Sequence, residues 1–307
     1  MREGPACALV TGASSGIGRA CTLWLANLGM RVFATLRATE NAGPLARVRG
    51  VHLLQLDLCD PESIDRATSE VAAQLRGRGL DGLVHAAGIA VAGPLEFLPR
   101  EALHEQLEVN LNGPLGLTQG LIPLLRRDGG RIVFVSSMSA RVSPPFLGAY
   151  AASKFALEAV VDALRVELQP WRIHVCSVQP GRVATPLWRK SLERSDAMLA
   201  AAAPHADALY GRRLGQLRAT ALRVDAGRGS SPDIVARSVA HALTTRRPRT
   251  RYLVGRNTRL AAIALRLAPD RIRDLWLRTA SPECDDPQPS GSDPQALTEH
   301  GRTPHDA

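Results

Sequence analysis

Apolar and polar positions along this chain alternate between short apolar runs and longer segments with helical spacing. The apolar runs are flanked by glycine, proline or aspartate and predict seven strands, in the stretches ACALVTG, MRVFATL, VHLLQLD, DGLVHAAG, RIVFVSS, RIHVCSVQPG and TRYLVG. Helical spacing predicts helices near residues 16–28, 61–77, 99–127, 149–169 and 232–245. Strands that alternate with helices form right-handed β-α-β units. The pattern therefore predicts an α/β fold in one domain, with a doubly wound, seven-stranded parallel sheet and helices on both faces.

Three segments depart from this alternation. Residues 184–231 form a long helical insertion between the last two predicted strands, and it is either a lid over a ligand or a surface hairpin without ligand contact. Residues 257–280 carry apolar residues and arginines at helical spacing. This amphipathic segment either lies on a membrane surface or packs against the domain or a second subunit, and packing is the more ordinary outcome. Residues 281–307 are rich in proline, serine and aspartate, which predicts a disordered tail.

Composition narrows the classes of partner. The formal net charge is +9, but the arginines are scattered without a basic run, so the sequence does not favour a nucleic-acid-binding protein. The five cysteines are dispersed without a C-x-x-C pair, so we expect reduced thiols, no metal site and a cytoplasmic protein. No stretch approaches the roughly 18 apolar residues of a membrane-spanning helix. The first predicted strand comes almost at once, so we expect a soluble protein without a cleaved signal.

The first predicted strand runs into a glycine-rich turn, TGASSGIGRA, that precedes an apolar helix. Gly12, Gly16 and Gly18 let the backbone turn tightly and approach a pyrophosphate. Free N–H groups at the start of a helix attract an anion without a cationic side chain. Because such a motif has meaning only between a strand and a helix, its position here predicts a dinucleotide site, with a simple chain reversal as the alternative.

The end of the second predicted strand bears on which dinucleotide binds. An NAD site usually has a carboxylate there, which accepts hydrogen bonds from the adenosine ribose. Here Leu36 and Arg37 stand at that point, and no acid appears before Glu40. Because arginine attracts the additional phosphate of NADP(H), we expect NADP(H) to be preferred, with NAD(H) as the second option. A surface arginine without a ligand is the alternative.

Tyr150 and Lys154 stand one helical turn apart in YAASK, and the chain has only two lysines among its 38 basic residues. A lysine close to a phenol stabilises the phenolate, which lowers the pKa of tyrosine toward the range of a general acid or base. Ser137 lies thirteen residues before Tyr150 at the end of a predicted strand, and its hydroxyl can donate a hydrogen bond to a substrate carbonyl. Its neighbours Ser136 and Ser139 could cap the strand, and the Tyr-Lys spacing could arise by chance.

Together these motifs resemble the classical short-chain dehydrogenase/reductase family over roughly residues 5–256, and in style its 17β-hydroxysteroid and retinol dehydrogenase branch. The family pattern is also matched by Asp57 in LQLDLCD, Asn110 in EVNLNG, and Pro180, Gly181 and Thr185 in QPGRVATP. The resemblance implies a Rossmann-type catalytic domain over residues 1–256, with the catalytic set Ser137, Tyr150, Lys154 and Asn110. It also implies that the cofactor contacts Gly12, Ser14, Ser15, Gly16, Ile17, Gly18, Arg37, Asp57, Leu58, Ala87, Gly88, Tyr150, Lys154, Pro180, Gly181, Val183 and Thr185.

The resemblance also implies roles. Tyr150 exchanges a proton with the substrate oxygen while hydride passes between the nicotinamide and the substrate carbon. Ser137 polarises that oxygen, Lys154 lowers the tyrosine pKa and holds ribose hydroxyls, and Asn110 seats a water that links the lysine to solvent. One position departs from the family's N-N-A-G motif, because HAAG, which begins at His85, lacks both asparagines. We expect His85 to be a packed or ribose-adjacent residue and not a catalytic one.

Apolar residues that we expect to lie near Tyr150 indicate a lipophilic substrate. They lie in the insertion and in SPPFLGAY, and are Leu187, Trp188, Met198, Leu199, Leu209, Tyr210, Phe146 and Leu147. We expect an NADP(H)-dependent oxidoreductase of a steroid-like or retinoid-like alcohol or ketone, although the same residues could simply pack the lid. Two alternatives stay open: a reductase of a smaller or carrier-bound carbonyl such as a 3-oxoacyl thioester, and a non-catalytic NADP(H)-binding sensor or scaffold. The resemblance implies a homodimer or homotetramer, paired through the helices after the fourth and fifth strands.

Overall fold

The structure is a computed structural model that describes residues 4–202, 206–224, 226, 229–255 and 258–280. Seven strands form one sheet in which all neighbouring strands are parallel. In chain order the strands are β1 Cys7–Val10, β2 Arg31–Leu36, β3 Val51–Gln55, β4 Gly82–His85, β5 Arg131–Val135, β6 His174–Pro180 and β7 Arg251–Val254. Their spatial order is β3-β2-β1-β4-β5-β6-β7, so the direction of winding reverses between β1 and β4. The predicted seven-stranded parallel sheet is confirmed.

Helices surround this sheet, and each of the five predicted helices corresponds to one or two of them. In chain order they are α1 Gly16–Asn27, α2 Pro61–Leu75, α3 Arg100–Leu107, α4 Gly113–Asp128, α5 Gly148–Glu167, α6 Leu187–Ala202, α7 Ala206–Arg223, α8 Pro232–Thr244, α9 Thr258–Leu267 and α10 Asp270–Ala280. The sequence sets some of these boundaries directly. Asp60 and Ser231 cap α2 and α8 by accepting backbone hydrogen bonds, and each is followed by a proline at the first helical position.

Alternate side chains of the strands fill two apolar cores, one on each face of the sheet. Leu9, Phe33 and Phe134 pack with α2, α4 and α5. Val10 and Val178 belong to the other core, which α1 and α8 cover. Parallel strands buried on both faces read as continuous apolar runs, which is why the strands were evident in the sequence.

The predicted helix at 99–127 is not continuous. A wider, π-helical turn at Glu108–Asn112 separates α3 from α4, and Asn110 within it is buried. Gly113 begins α4 so close to the chain after β3 that a Cβ on it would lie 2.3 Å from the Leu58 carbonyl oxygen. A π turn inserts a residue into a helix and changes which side chains share its inner face. The turn therefore allows α4 to pack closely while Asn110 is buried.

The predicted insertion at 184–231 contains α6 and α7, which pack against each other. Arg218 of α7 forms an ion pair with Asp196 of α6. Arg194 of α6 forms another with Glu105 of α3. The insertion is thus joined to the main domain partly through charged side chains.

The amphipathic segment at 257–280 is apolar on two sides. The buried side of α9, around Leu265, lies beside β7, whereas its opposite side exposes Leu260, Ile263 and Leu267. Packing against the domain therefore accounts for one side only, and a membrane surface or a second subunit stays a prediction for the other. No helix in the described ranges is long and apolar enough to cross a membrane. The predicted tail at 281–307 lies outside the described residues.

Candidate active site

The glycine-rich turn lies at the carboxyl end of β1, where the winding of the sheet reverses. Gly12 and Gly16 have positive φ angles of 68° and 53°, a conformation that favours glycine. A Cβ on Gly18 would lie 2.2 Å from the Gly12 carbonyl oxygen, and one on Gly12 would lie 2.8 Å from the Ala87 Cα. A side chain at either position would therefore displace the backbone of the turn.

The turn leads into the start of α1, where the first backbone N–H groups have no partners within the helix. No acidic residue stands in the first turn, and the N-cap, Ser15, forms no side-chain capping hydrogen bond. Ser14 beside it is exposed, and Ile17 lies in the first turn. Because free N–H groups and the helix dipole both favour negative charge, this position fits a pyrophosphate.

Thr11 joins the glycine turn to the neighbouring strand, a role that the sequence motif alone did not indicate. Its hydroxyl is buried and accepts hydrogen bonds from the backbone N–H groups of Ala86 and Ala87, each at 3.0 Å. These bonds hold the loop after β4 beside the end of β1. The threonine of TGASSGIG was the available clue, since a hydroxyl directly before a strand-end turn can bond the adjacent strand.

The ends of β2 and β3 present polar side chains beyond the glycine turn. Leu36 ends β2 and is buried, whereas Arg37 directly after it is exposed. Gln55, at the end of β3, donates a hydrogen bond to the Arg37 carbonyl oxygen at 3.2 Å. Asp57 accepts a hydrogen bond from the Cys59 N–H at 2.9 Å. Within the described part of the chain, the Arg37 guanidinium forms no hydrogen bond or ion pair, so its charge is available to a ligand.

Ser137, Tyr150 and Lys154 come together between β5 and the start of α5. Tyr150 and Lys154 are 5% and 4% exposed. The Lys154 ammonium lies 5.8 Å from the centroid of the Tyr150 ring and donates a hydrogen bond to the Val135 carbonyl oxygen at 3.1 Å. Ser137 accepts a hydrogen bond from the Ser139 N–H at 3.0 Å, and its hydroxyl bonds the Tyr150 phenol. The predicted spacing therefore brings a phenol, a hydroxyl and an ammonium to one point.

Burial governs the ionisation of this pair. It raises the pKa of Tyr150 above the usual value for tyrosine, and the hydrogen bond with Ser137 opposes that change. Burial lowers the pKa of Lys154 to about 8, and the Glu158 carboxylate opposes that change. In the protein alone, the expectation of a lowered tyrosine pKa is therefore wrong, because desolvation of the phenolate outweighs the hydrogen bond with Ser137. At neutral pH Tyr150 is a protonated phenol, which is the form that donates a proton.

Asn110 is buried and its side-chain amide is fully engaged. Oδ1 accepts a hydrogen bond from the Ile89 N–H at 2.9 Å, and Nδ2 donates to the Ile89 carbonyl oxygen and to Ser153 Oγ, both at 3.0 Å. Gln106, one turn earlier, donates to the same Ile89 oxygen at 2.7 Å and accepts from the Val91 N–H at 2.8 Å. Sequence reasoning missed Gln106, because no motif marks a glutamine whose partners are backbone groups of a distant loop. Together the two amides fix the chain after β4.

Gly88 lies where that chain passes the lysine. A Cβ on Gly88 would lie 3.2 Å from Asn110 Oδ1 and 3.8 Å from Lys154 Nζ. The loop after β4, the π turn and α5 therefore meet at this glycine, and all four predicted catalytic residues belong to one site.

His85 is a packed residue. Its Nε2 shares a hydrogen bond with the Thr118 hydroxyl at 2.8 Å, and its ring stacks on Phe134 with centroids 4.6 Å apart. Burial lowers its pKa to about 3, so the imidazole is neutral at physiological pH. Of the two positions predicted for His85, the packed one is confirmed.

The chain after β6 covers the glycine turn from the opposite side. Pro180 ends β6, and the Gly181 N–H donates to the last residue of β7 at 2.9 Å. Val183 and Thr185 are buried. A Cβ on Gly16 would lie 3.1 Å from Thr185 Cγ2, so the threonine lies directly over the turn. This segment joins the predicted cofactor residues to the start of the insertion.

Two aromatic side chains of the insertion pack against rings of the main domain. The ring of Trp188 meets the Tyr150 ring edge to face, with centroids 6.0 Å apart. Tyr210 of α7 packs edge to face against Phe97 and Phe146, at 6.0 Å and 5.9 Å. We call the four rings Phe97, Phe146, Trp188 and Tyr210 the aromatic wall, and Trp188 is the member that meets the phenol ring.

The other residues that we predicted to line the substrate site lie in different surroundings. Met198 of α6 approaches Gly93, where a Cβ would lie 3.3 Å from the Met198 Cε. Leu147 is buried, whereas Leu209 is 56% exposed and does not face the site. The side chain of Leu199 lies outside the described residues.

Phe146 has an unusual backbone conformation, with a φ of 63°. Bulky residues rarely adopt positive φ, and such conformations persist where the surrounding structure enforces them. Here the Phe146 carbonyl oxygen accepts a hydrogen bond from the Gly93 N–H at 2.8 Å. The bond fastens the turn before α5 to the loop after β4 and directs the ring toward Tyr210.

A nicotinamide dinucleotide fits this set of residues. The glycine turn excludes side chains where a pyrophosphate approaches, and the start of α1 offers N–H donors. At the other end of the cleft, buried polar groups of Tyr150, Lys154 and Asn110 converge. No group of three or more His, Cys, Asp or Glu side chains that could hold a metal ion occurs among the described residues.

Known proteins resemble this chain over most of its length. The short chain dehydrogenase family model matches residues 6–196. Retinol dehydrogenase 5 of Homo sapiens is 36% identical over 287 residues, which cover 89% of this chain and 88% of that protein. The NADPH-dependent 3-dehydrocapnine reductase of Ornithobacterium rhinotracheale is 34% identical over 275 residues, which cover 87% of this chain and 94% of that protein.

Solved structures agree. A short-chain dehydrogenase from Streptomyces avermitilis, 28% identical, has a TM-score of 0.70 over 93% of this chain and 100% of that one. A short chain dehydrogenase from Burkholderia cenocepacia in complex with NADP, 26% identical, has a TM-score of 0.68 over 91% of this chain and 98% of that one. The chain therefore belongs to the short-chain dehydrogenase family, on the retinol dehydrogenase side of it, and is an NAD(P)-dependent oxidoreductase.

Proposed function

We propose that this protein is an NADP(H)-dependent oxidoreductase that interconverts a lipophilic alcohol, steroid-like or retinoid-like, and its carbonyl. The observation that carries the proposal is the position of the Tyr150 phenol, which is bonded to Ser137 and packed against Trp188. A proton donor beside an apolar ring suits a hydrophobic substrate that presents one polar oxygen.

The proposed roles follow from this arrangement. When bound, the nicotinamide supplies or accepts hydride at the substrate carbon. In reduction Tyr150 donates its proton to the carbonyl oxygen, and in oxidation it accepts the alcohol proton. Ser137 donates a hydrogen bond to the same oxygen as negative charge develops on it. Lys154 stabilises the phenolate that remains and holds ribose hydroxyls, while Asn110 fixes the loop beside it.

The preference for NADP(H) rests on Arg37. Its guanidinium is exposed at the end of β2 and forms no ion pair or hydrogen bond among the described residues. A phosphate on the adenosine ribose would provide a partner for this charge. The reductase of Ornithobacterium rhinotracheale named above is NADPH-dependent, which supports the same preference.

We assign the insertion, α6 and α7, to a lid over the substrate. Its support is the aromatic wall, since two of the four rings belong to the insertion and one of them touches the Tyr150 ring. Retinol dehydrogenase 5 acts on a lipophilic alcohol according to its name, which favours such a substrate over the smaller or carrier-bound carbonyl of the alternative. A non-catalytic sensor is disfavoured because the buried Tyr150 interacts with Ser137 and the Lys154 ammonium lies 5.8 Å from the centroid of its ring.

One experiment tests the proposal. Purified protein is assayed with a panel of retinoids, steroids, aliphatic carbonyls and a 3-oxoacyl thioester, each with NADPH and with NADH, for the natural chain and Tyr150→Phe. We expect highest kcat/KM for a lipophilic compound with NADPH. Tyr150→Phe should lower kcat by about 100- to 10,000-fold while NADPH still binds, since only the transferable proton is removed.

The matched control is Tyr252→Phe, because Tyr252 lies on β7 and bonds His241, outside the site. Full activity of Tyr150→Phe would refute the mechanism. A higher kcat/KM with NADH would refute the preference assigned to Arg37, and activity only on the thioester would replace the proposed substrate class.

Assembly and location stay proposals as well. A homodimer or homotetramer is supported by large apolar side chains of α5 that face solvent, Phe155 at 46% and Val166 at 70% exposure. Light scattering during size-exclusion chromatography measures the number of copies. A cytoplasmic location stays a prediction from the composition.

A further inference from the structure

One face of α5 carries four titratable side chains, each four residues after the one before. They are Tyr150, Lys154, Glu158 and Asp162. Residues four apart lie on the same side of a helix, one turn above the other. The first three are buried, whereas the side chain of Asp162 is 45% exposed. A carboxylate therefore lies directly behind the lysine of the active site, at a position that the proposed mechanism does not use.

Burial of Glu158 requires compensation, because an unpaired carboxylate in an apolar environment is strongly disfavoured. Arg251 of β7 provides it, donating from Nε to Glu158 Oε2 at 2.8 Å. The same guanidinium also bonds Asp162 through Nη2. Arg251 thus fixes the position of the Glu158 carboxylate through a charged hydrogen bond.

The second oxygen of Glu158 has no such partner. Oε1 is buried and accepts no hydrogen bond from the part of the chain that the structure describes. Two other charged side chains interact electrostatically with this carboxylate, Lys154 on α5 and Arg141 in the turn after β5. Arg141 already bonds Gln179 through Nε at 2.6 Å. The lysine is therefore the cation next to Glu158 that lies inside the active site.

Lys154 needs this carboxylate. Its ammonium is buried, and its one hydrogen bond to a described residue goes to a neutral carbonyl, that of Val135. Tyr150 beside it is uncharged at neutral pH, so the phenol offers no counter-charge. Two further cations, Arg141 and Arg251, also interact with Glu158. Without the carboxylate, a buried ammonium would face like charges and desolvation together.

We propose that Glu158 is the counter-ion of Lys154, a positioning residue that keeps the lysine protonated, and that Arg251 holds the Glu158 carboxylate in place. The assignment deepens the proposed function, on which it rests for the role of Lys154. It extends the active site through α5 to β7, so that a charge at the edge of the sheet supports proton transfer at Tyr150.

The chain offers a direct measurement, because Lys154 and Lys190 are its only lysines. Protein grown with lysine labelled with ¹³C at Cε gives two lysine NMR signals, and the signal of the exposed Lys190 is an internal reference. The pKa of Lys154 is then read in the full chain without substrate or cofactor. Lys154→Arg removes one signal and assigns the other.

We expect Glu158→Gln to lower the pKa of Lys154 by about one unit or more, a tenfold weaker hold on the proton. Asp162→Asn is the matched control, because it removes a neighbouring carboxylate from Arg251 but leaves the Glu158–Arg251 bond. The control should shift the Lys154 titration by less than about 0.3 unit, since exposed charges act weakly. An unchanged Lys154 pKa in Glu158→Gln, or an equal shift in both variants, overturns the proposal.

Glu158→Gln leaves Arg251 with less compensation, so a loss of stability is expected for that reason alone. The double variant Glu158→Leu with Arg251→Met removes both members of this ion pair, which proteins tolerate better, and it should also show a lowered Lys154 pKa, with a smaller shift because a cation is removed as well. If the double variant folds with an unchanged lysine titration, the proposal fails. These outcomes are separate from the proposed function. If the Lys154 titration shifts in Glu158→Gln but Tyr150→Phe is active, only the mechanism is refuted. If the Lys154 titration does not shift and Tyr150→Phe is inactive, only the counter-ion role of Glu158 is refuted.

Discussion

The glycine turn after β1 and the insertion of α6 and α7 approach Tyr150 from two sides, and they are held in different ways. The turn is fixed by backbone contacts, such as the 2.2 Å that a Cβ on Gly18 would leave to Gly12. The insertion is held by rings and by partly exposed charged pairs, such as Arg194 with Glu105. Backbone contacts tolerate almost no change, whereas side-chain contacts can be exchanged one at a time. The cofactor side of this site is therefore rigid, and the substrate side can vary.

The largest expected effect is on the rigid side. Gly18→Ala places a Cβ against the Gly12 carbonyl oxygen, so the turn must open. We expect NADPH affinity to fall by roughly 100-fold, the equivalent of about 3 kcal/mol of binding free energy. Fluorescence titration with NADPH measures it. Gly116→Ala is the control, because a Cβ there meets only the Ile64 side chain at 3.6 Å, and a similar loss in both variants would contradict the argument.

The next prediction concerns Lys154, which lies where the cofactor side and the substrate side of the candidate site meet. Lys154→Arg keeps the charge, but the larger guanidinium must fit between the Val135 carbonyl, Gly88 and Asn110. We expect kcat to fall by about 100-fold. The control is Lys190→Arg, which changes the exposed lysine and should leave kcat unaltered.

The pH profile sharpens this comparison. The pKa of Lys154 is lowered to about 8, so the lysine loses its charge as the pH rises through that value. Activity of the natural chain should therefore decline above pH 8, while the residual activity of Lys154→Arg should show no decline there, because arginine stays protonated. A decline at the same pH in both proteins would assign it to another group.

The smallest effect is expected on the variable side. Trp188→Ala removes the ring that meets Tyr150 and exposes part of the substrate to water. Losing about 1.5 kcal/mol of apolar burial should raise KM for a lipophilic substrate by roughly tenfold. NADPH affinity should stay within twofold. Leu209→Ala, at an exposed position on α7, is the control, and a larger effect on NADPH than on substrate would break the distinction between the two sides.

The same difference explains how much the sequence could predict. The glycines of the turn lie within one short stretch of sequence, as do Tyr150 and Lys154, and the spacing within each group follows from turn or helix geometry alone. The strands were evident because apolar runs mark buried parallel strands. Local rules were sufficient for these features.

Features that depend on distant contacts were not predictable. Gln106 reads as an ordinary helical residue, and only the folded chain shows its bonds to Ile89 and Val91. The π turn before α4 depends on the close approach of Gly113 to Leu58, from two segments far apart in the chain. The direction of the Tyr150 pKa shift was also missed, because desolvation is a property of the folded environment.

The backbone of Phe146 limits how the proposed substrate pocket can be reshaped. With a φ of 63°, this position accepts glycine or asparagine readily but disfavours valine, isoleucine and threonine, whose branched side chains clash in that conformation. A designer who wishes to enlarge the pocket can therefore remove the ring, but cannot substitute a branched aliphatic wall without moving the turn. At this position the φ angle of the main chain limits which side chains can line the proposed pocket, and therefore which substrates the pocket can accept.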